Sequence, residues 1–325
     1  MIKHLFLFLL LCSSTQQSYC WGFYAHKQIN TLAVFLLPPE MLLFYKQHID
    51  FITEHAVDPD KRRYAVAEEG ARHYIDIDHY GRYPKYDLPR KWADAVAART
   101  EDSLQQYGIV PWWVQTMQFR LTAAFRERNA GKILKLSAEI GHYIGDAHVP
   151  LHASGNHNGQ LTGQHGIHGF WESRIPELLA EKEWDFFIGP CAYIEDPLNF
   201  IWDRVLESAA ASDTVLRYEK ALSNRFPADR KYAYEERNGQ ILKTYSLSYS
   251  LSYNRMLNNM VERRMRQSVF AVASFWYTAW VNAGQPDLTG LSRLDWTAAD
   301  QQALDSLDSQ WRKGAVKGRA CEQLP

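Results

Sequence analysis

The chain has 325 residues, of which 46% are hydrophobic, 14% aromatic and 22% charged, and its formal net charge is -1. This is a globular composition with an aromatic excess, enough to bury a sizeable core. No block of five or more basic residues occurs, which excludes a polybasic surface that follows a nucleic-acid backbone along its length.

The first 20 residues, MIKHLFLFLLLCSSTQQSYC, place Lys3 before an apolar run from Leu5 to Leu11 and then a polar segment. This pattern predicts a secretory signal peptide cleaved after Cys20, with Trp21 as the first mature residue. The apolar run is too short to span a bilayer. The run from Phe270 to Ala283 is broken by Ser274 and Asn282. The mature protein is therefore expected to be secreted or periplasmic, without stable membrane insertion, and a monomer. Of four cysteines, Cys191 and Cys321 lie beyond the signal; they can form one disulfide or stay as two thiols.

Helical periodicity dominates the rest. HKQINTLAVFLLPPEMLLFY carries apolar residues at helix spacing and is interrupted at Pro38-Pro39. PWWVQTMQFRLTAAFRERNAGK starts with a proline suited to a first helical turn, and its Asn-Ala-Gly reads as a helix C-cap. KILKLSAEIGHYIGDAHVP sets Ile133, Leu136, Ile140 and Ile144 on one stripe. Two further helices are expected in the stretches starting at Asp196 and Asn258. Residues 153–166, rich in Gly, His, Asn and Gln, read as a loop. With no run of alternating strands, the expected fold is all-α: one multi-helix domain over residues 21–325, with about eight helices of ordinary length. The repeat YSLSYSLSY, from Tyr245 to Tyr253, has no role that the sequence assigns.

Six of the chain's 12 histidines fall between His142 and Ser173. His142 and Asp146 are four apart, as are His168 and Glu172, so each pair shares a helix face. His152 lies just past Pro150, where a helix should stop. One such pair alone could be an ordinary surface contact. Two pairs flanking a hinge suit a metal, and imidazole with carboxylate suits an open zinc site better than a structural one. Asp58, Asp60 and His73 lie upstream, where they could equally form a turn around Pro59 and a charged helix. Trp21 and His26 open the mature chain, where a free α-amine and carbonyl can chelate a metal; Trp21 could also simply pack.

Taken in order, WG..AH, PDKRR…HYID, H…D.H.PLH, GN and H…WE resemble the trinuclear-zinc superfamily. That group joins the single-strand-specific nucleases of fungi and plants to the bacterial zinc-dependent phospholipases C. The resemblance covers Trp21 to about Glu172, and the all-α fold of that group agrees with the periodicity. It implies three zinc ions. The first would be held by Asp60, His73, His142 and Asp146, with Asp58 as the alternative to Asp60. The second would be held by His152, His168 and Glu172. The third would take the Trp21 amine and carbonyl, His26 and a shared Asp146.

The resemblance further implies phosphodiester hydrolysis by a metal-activated water, with Asp60 and Asp146 in the catalytic centre and Asp76 orienting substrate or water. Tyr74 and Asn156 are the candidate substrate contacts, and Tyr74 or Tyr80 could stack a base or belong to the core. HYID, DAHVPLH and Gly155-Asn156 are closer to the nucleases, which implies single-stranded DNA or RNA, or a 3′-nucleotide, as substrate. Asp-Pro-Asp in place of Trp-Ala-Asp, and Glu172 as last ligand, are closer to the phospholipases C, which implies a phospholipid headgroup instead. A third reading is an exported zinc-binding protein without catalysis.

Overall fold

The computed structural model describes residues 22–237, 239–291, 298–314 and 316–317; the signal segment, Trp21 and Cys321 lie outside them. Helices dominate, in the order α1 (Phe23–Val34), α2 (Pro39–Gln47), α3 (Ile49–Glu54), α4 (Asp58–Arg62), α5 (Trp92–Ala98), α6 (Glu101–Tyr107), α7 (Val110–Arg126), α8 (Ala130–Ala147), α9 (Ile167–Gly169), α10 (Ile175–Glu183), α11 (Pro197–Ser223), α12 (Leu247–Met256), α13 (Met260–Asn282) and α14 (Ala298–Arg312). Two antiparallel hairpins join them: β1 (Gly81–Arg82) with β2 (Lys85–Tyr86), and β3 (Tyr232–Arg237) with β4 (Gln240–Tyr245). Among the described residues no helix is long and apolar enough to cross a membrane.

The long helices lie where the periodicity set them, but the expectation of about eight undercounts. Residues 49–62 and 92–107 form short helices whose apolar spacing spans too few turns to show a period. A second expectation is corrected at Asn129. It does not end α7; it starts α8, its side chain accepting from Lys132 N at 2.9 Å. The break falls one residue earlier, at Arg128, whose φ is 50°. Asn serves both ends of helices, and sequence alone does not tell an N-cap from a C-cap when two helices nearly abut.

Helix α8 runs through the centre, against α7, α13 and α1. Its apolar stripe is buried as expected, with Leu136 only half-buried, but from Ser137 to Ala147 every side is buried. The face opposite the stripe carries Glu139, His142 and Asp146. Those groups satisfy one another and their neighbours instead of meeting water. Helix α1 approaches α8 at Gly141, where a Cβ would stand 2.0 Å from Asn30 Oδ1. Asn30 Nδ2 donates across the gap to the carbonyls of Ala138 and Ile52, at 3.0 and 3.3 Å. That contact sets α1, and with it His26, at a fixed height beside His142.

The repeat around Tyr245 gains a role here. Tyr245, Tyr249 and Tyr253 are four apart and line one side of Phe170, with ring centroids at 3.9, 5.7 and 5.1 Å from it. Burial of so much aromatic surface anchors the segment that carries His168 and Glu172. The tyrosine hydroxyls are used: Tyr249 donates to Glu219 at 2.6 Å and Tyr253 to the Val215 carbonyl at 2.7 Å.

Candidate metal centre

The end of α8 is fixed from outside. Helices leave their last carbonyls unpaired, and here the Ala147 carbonyl accepts from Ser208 Oγ at 2.8 Å and the His148 carbonyl from Arg264 Nε at 2.8 Å. Asp146 is held one residue before this anchorage. The chain then turns at Pro150, and His152 returns alongside the 73–75 segment, where Ile75 N donates to the His152 carbonyl at 2.9 Å. The loop that follows is gripped by Asp78, whose carboxylate accepts from Ser154 Oγ and from Gly155 N, each at 2.9 Å. Residues 170–174 form a π-turn between α9 and α10, a distortion common at functional sites. His168 and Glu172 still meet across it, at 3.0 Å.

Three groups of side chains result, each able to hold a metal ion: His26, His142 and Asp146; Asp60, His73 and His142; and His152, His168 and Glu172. All are buried, and the donor atoms within a group lie within 4.8 Å of one another. Asp146 stands at the centre. Its Oδ2 is 3.0 Å from His73 Nδ1 and 3.3 Å from His142 Nε2; its Oδ1 is 3.4 Å from His26 Nε2 and 3.9 Å from His152 Nδ1. Asp60 Oδ1 lies 3.7 Å from His142 Nε2 and 3.8 Å from His73 Nδ1. A tetrahedral site with bonds of about 2.0–2.1 Å sets its donors about 3.3 Å apart, and these separations bracket that value.

The histidine tautomers are set by the backbone. His142 Nδ1 meets the Ala56 carbonyl at 2.9 Å, His152 Nδ1 the His73 carbonyl at 2.6 Å, and His168 Nδ1 the His157 carbonyl at 3.2 Å. A carbonyl only accepts, so each Nδ1 carries a proton and each Nε2 is the atom left to face a metal. Yet His168 Nε2 and His152 Nε2 face each other at 3.0 Å, and His142 Nε2 faces His73 Nδ1 at 3.1 Å. The Nε2 atoms of His168 and His152, both acceptors while the rings are neutral, repel unless a cation lies between them or one ring takes a second proton, whereas His73 Nδ1 also meets Asp146 Oδ2 at 3.0 Å and can carry a proton there. Both oxygens of Asp60, and Oε1 of Glu172, are buried without a hydrogen bond among the described residues. Buried acceptors without donors are costly, and a cation satisfies them. The donor set therefore fits a metal.

Electrostatics agree. Burial alone would raise the Asp146 carboxyl, but His142 and His152 hold it well below the ordinary carboxylate range. Burial likewise opposes, and His168 and His152 outweigh it, so that Glu172 is lowered. His26 is lowered by burial and by the adjacent His142, on which its ring stacks at 3.8 Å. His142 is the exception: burial would lower it, yet Asp146 and Asp60 push it up to about 9.

Asp58 and Asp60 point apart, as residues two apart on a helix must. Asp58 turns outward, to His55 Nδ1 at 2.6 Å and Lys61 Nζ at 3.3 Å, while Asp60 turns to the histidines. Of the six histidines between 142 and 173, His148 points away, to the Ile144 carbonyl at 2.7 Å, and His165 is exposed. Asp76 is half-buried and belongs to none of the three groups. The Tyr74 hydroxyl donates to the Gln106 carbonyl at 3.3 Å, and Tyr80 is part of the core. The Asn156 side chain is engaged inside its own loop, with Leu161 N at 2.9 Å and Thr162 Oγ1 at 3.2 Å. Trp21 lies outside the described residues. Its neighbour Gly22 donates from N to Ser173 Oγ at 2.8 Å, next to Glu172.

Two residues were not evident from the sequence. Glu69 is fully buried against Arg62, Arg72 and Tyr143, with Oε1 3.6 Å from His73 Nε2. Burial opposes its ionisation, but His73 and Arg62 pull it down to about 2. A carboxylate behind a metal-facing imidazole orients the ring and raises its basicity. Arg63 is also buried, its guanidinium 3.9 Å from Asp60 Oδ1. The one available signal was the pattern of charge after Pro59, which reads equally as a solvated helix.

Together, the fold and the site define a mainly helical protein with buried histidine and carboxylate groups that could hold metal ions. No protein-family model matches the chain, and no curated protein matches it in sequence.

Proposed function

We propose that the chain is an exported, monomeric zinc-dependent phosphodiesterase that cleaves single-stranded DNA or RNA and releases phosphate from 3′-nucleotides. The observation that carries this is the convergence of imidazole nitrogens and carboxylates into three buried groups, with Asp146 set between His26 on one side and His73 and His142 on the other. Asp60, His73, His142 and Asp146 would hold one ion, His152, His168 and Glu172 a second, and His26, Asp146 and the Trp21 amine and carbonyl a third. Zinc so held supplies Lewis acidity and a water that ionises near neutral pH. Around it, Asp146, held well below the ordinary carboxylate range, would balance the cations. Arg63 offers a buried positive charge that suits a phosphate oxygen. Asp76 would orient substrate or water, and Tyr74 and Asn156 would be the substrate contacts, though in this structure the Tyr74 hydroxyl and the Asn156 amide are engaged with Gln106 and with their own loop.

A second reading, a phospholipase C, is supported by Glu172 as the last carboxylate and by one surface feature. Tyr234 and Ile241 share one face of the β3–β4 hairpin and are 73% and 75% exposed near its tip. That hairpin is rooted beside the site, through Tyr245 on Phe170 and Arg174 on Glu235.

The test is a substrate panel with zinc-loaded mature protein: single-stranded DNA, RNA, a 3′-nucleotide and phosphatidylcholine. Nucleotide release above lipid hydrolysis is expected. Lipid hydrolysis alone reverses the two readings, and three bound zincs with no hydrolysis of any substrate leave a zinc-binding protein. The N-terminus gives a sharper check. A tag or added Met converts the Trp21 amine into an amide, a poor ligand at neutral pH. Zinc content should fall by one ion and activity steeply, with recovery when a protease exposes Trp21. Equal zinc and equal rates with and without the tag limit the site to two ions.

A further inference from the structure

Helix α14 has no buried side chain. Asp300, Leu304, Leu307, Asp308, Gln310 and Trp311 are its half-buried positions, and all but Gln310 fall at the 3–4 residue spacing of one helix face. The contacts of that face are few and specific. Asp308 Oδ1 accepts from Lys61 Nζ at 2.8 Å. Trp311 packs on Phe23, with ring centroids 5.4 Å apart, and its ring lies 5.7 Å from the same Lys61 ammonium. Just beyond the helix, Lys317 donates from N to the Arg63 carbonyl at 2.8 Å and from Nζ to the Ala65 carbonyl at 3.0 Å.

These contacts select two short stretches. Phe23 lies one turn before His26 on α1. Lys61, Arg63 and Ala65 bracket the segment that begins at Asp60. A chain of groups, His55 to Asp58 to Lys61 to Asp308, runs along the outer side of α4 while Asp60 faces the histidines from its inner side. Helix α4 spans only residues 58–62, too short to hold its own conformation. Its position must come from what packs on it.

We infer that α14 is a clasp that positions Asp60 and His26, with Asp308 and Trp311 as positioning residues that never touch metal or substrate. This rests on the metal-centre reading above. The clasp acts on the two groups containing Asp60 and His26. The group of His152, His168 and Glu172 is anchored instead by the tyrosines on Phe170 and by Asp78.

The experiment uses the full mature chain loaded with zinc, in wild-type form and as Asp308→Ala, Trp311→Ala, Asp308→Glu and Trp311→Phe. Zinc release to excess chelator is followed over time, with amide hydrogen exchange over residues 58–66 in parallel. In the two alanine variants, two ions should leave about tenfold faster than in wild type, the size expected when an outer partner of a ligand is removed. The third ion should leave at the wild-type rate, and exchange over 58–66 should quicken. The conservative variants should restore both readouts. Wild-type stoichiometry, read in the same run, tests the metal centre; the clasp is read only as a difference between variant and wild type. The exchange readout does not require metal. The Asp308 side chain is 46% exposed, so its truncation leaves the fold intact. Unchanged release and exchange in Asp308→Ala overturn the clasp, and so does equal acceleration of all three ions.

Discussion

Helices α8 and α13 both cross the core, and both bury polar side chains. On α13 each of these is answered by an ordinary partner. Arg264 donates to the His148 carbonyl and to Glu207, each at 2.8 Å; Ser268 donates to the Arg264 carbonyl; Ser274 and Thr278 accept from the backbone N–H groups of Ala192 and Ile194. On α8, Ser137 pairs with the Tyr45 hydroxyl and Glu139 with Arg62. His142 and Asp146, by contrast, stand among other imidazoles and carboxylates at separations that suit the donors of a metal site. The contrast separates two uses of buried polarity. One set of groups closes the fold; the other includes donor sets that could hold a metal ion.

The comparison breaks most visibly at Asp146. Asp146→Asn removes the carboxylate proposed to serve two of the ions, and several kcal/mol of charge stabilisation corresponds to a loss on the order of 10³-fold in kcat/KM. Zinc content should fall with it, by more than in His168→Ala. Intact activity in Asp146→Asn, alongside a dead His168→Ala, would show that Asp146 is not shared.

Arg264→Ala on α13 should do the opposite. It leaves the His148 carbonyl and Glu207 without their buried partner and costs about 3 kcal/mol, read as a lowered midpoint in urea. Zinc stoichiometry should stay at the wild-type value. Zinc loss at full stability would place Arg264 with the metal groups instead. Gly141→Ala is expected to be milder. The new methyl must displace Asn30, and overpacking of this kind costs about 2 kcal/mol. A neutral result in thermal melts would mean that α1 slides freely along α8.

The smallest effect is a proton. His142, raised to about 9, is charged at pH 7 in the metal-free protein and must be neutral to bind metal. Zinc uptake at pH 7 should release that proton, and affinity should climb with pH until about 9. For the metal-free fold the sign is reversed. The raised value means that protonated His142 adds stability fully present below its ordinary value near 6.5. That contribution is lost as pH rises through about 9. Calorimetry in buffers of different ionisation enthalpy would show the proton; identical heats in all of them would contradict it.

Much of this molecule is legible in its sequence, because the signals are local. Periodicity over five or more turns locates α8, α11 and α13, since a stripe of that length fits no other conformation. The four-residue spacing of His142 with Asp146, and of His168 with Glu172, brings each pair together without reference to the rest of the chain. Short helices such as α4 carry too few residues for a period, and Asn129 suits either end of a helix. Only tertiary structure distinguishes Asp58 from Asp60, because both are carboxylates in one helical turn and their difference is the direction each faces. It also turns His148 away, sets Glu69 behind His73, and gives YSLSYSLSY its place on Phe170. Each depends on contacts between segments tens of residues apart, formed when apolar burial packs the helices together, and no local pattern records them.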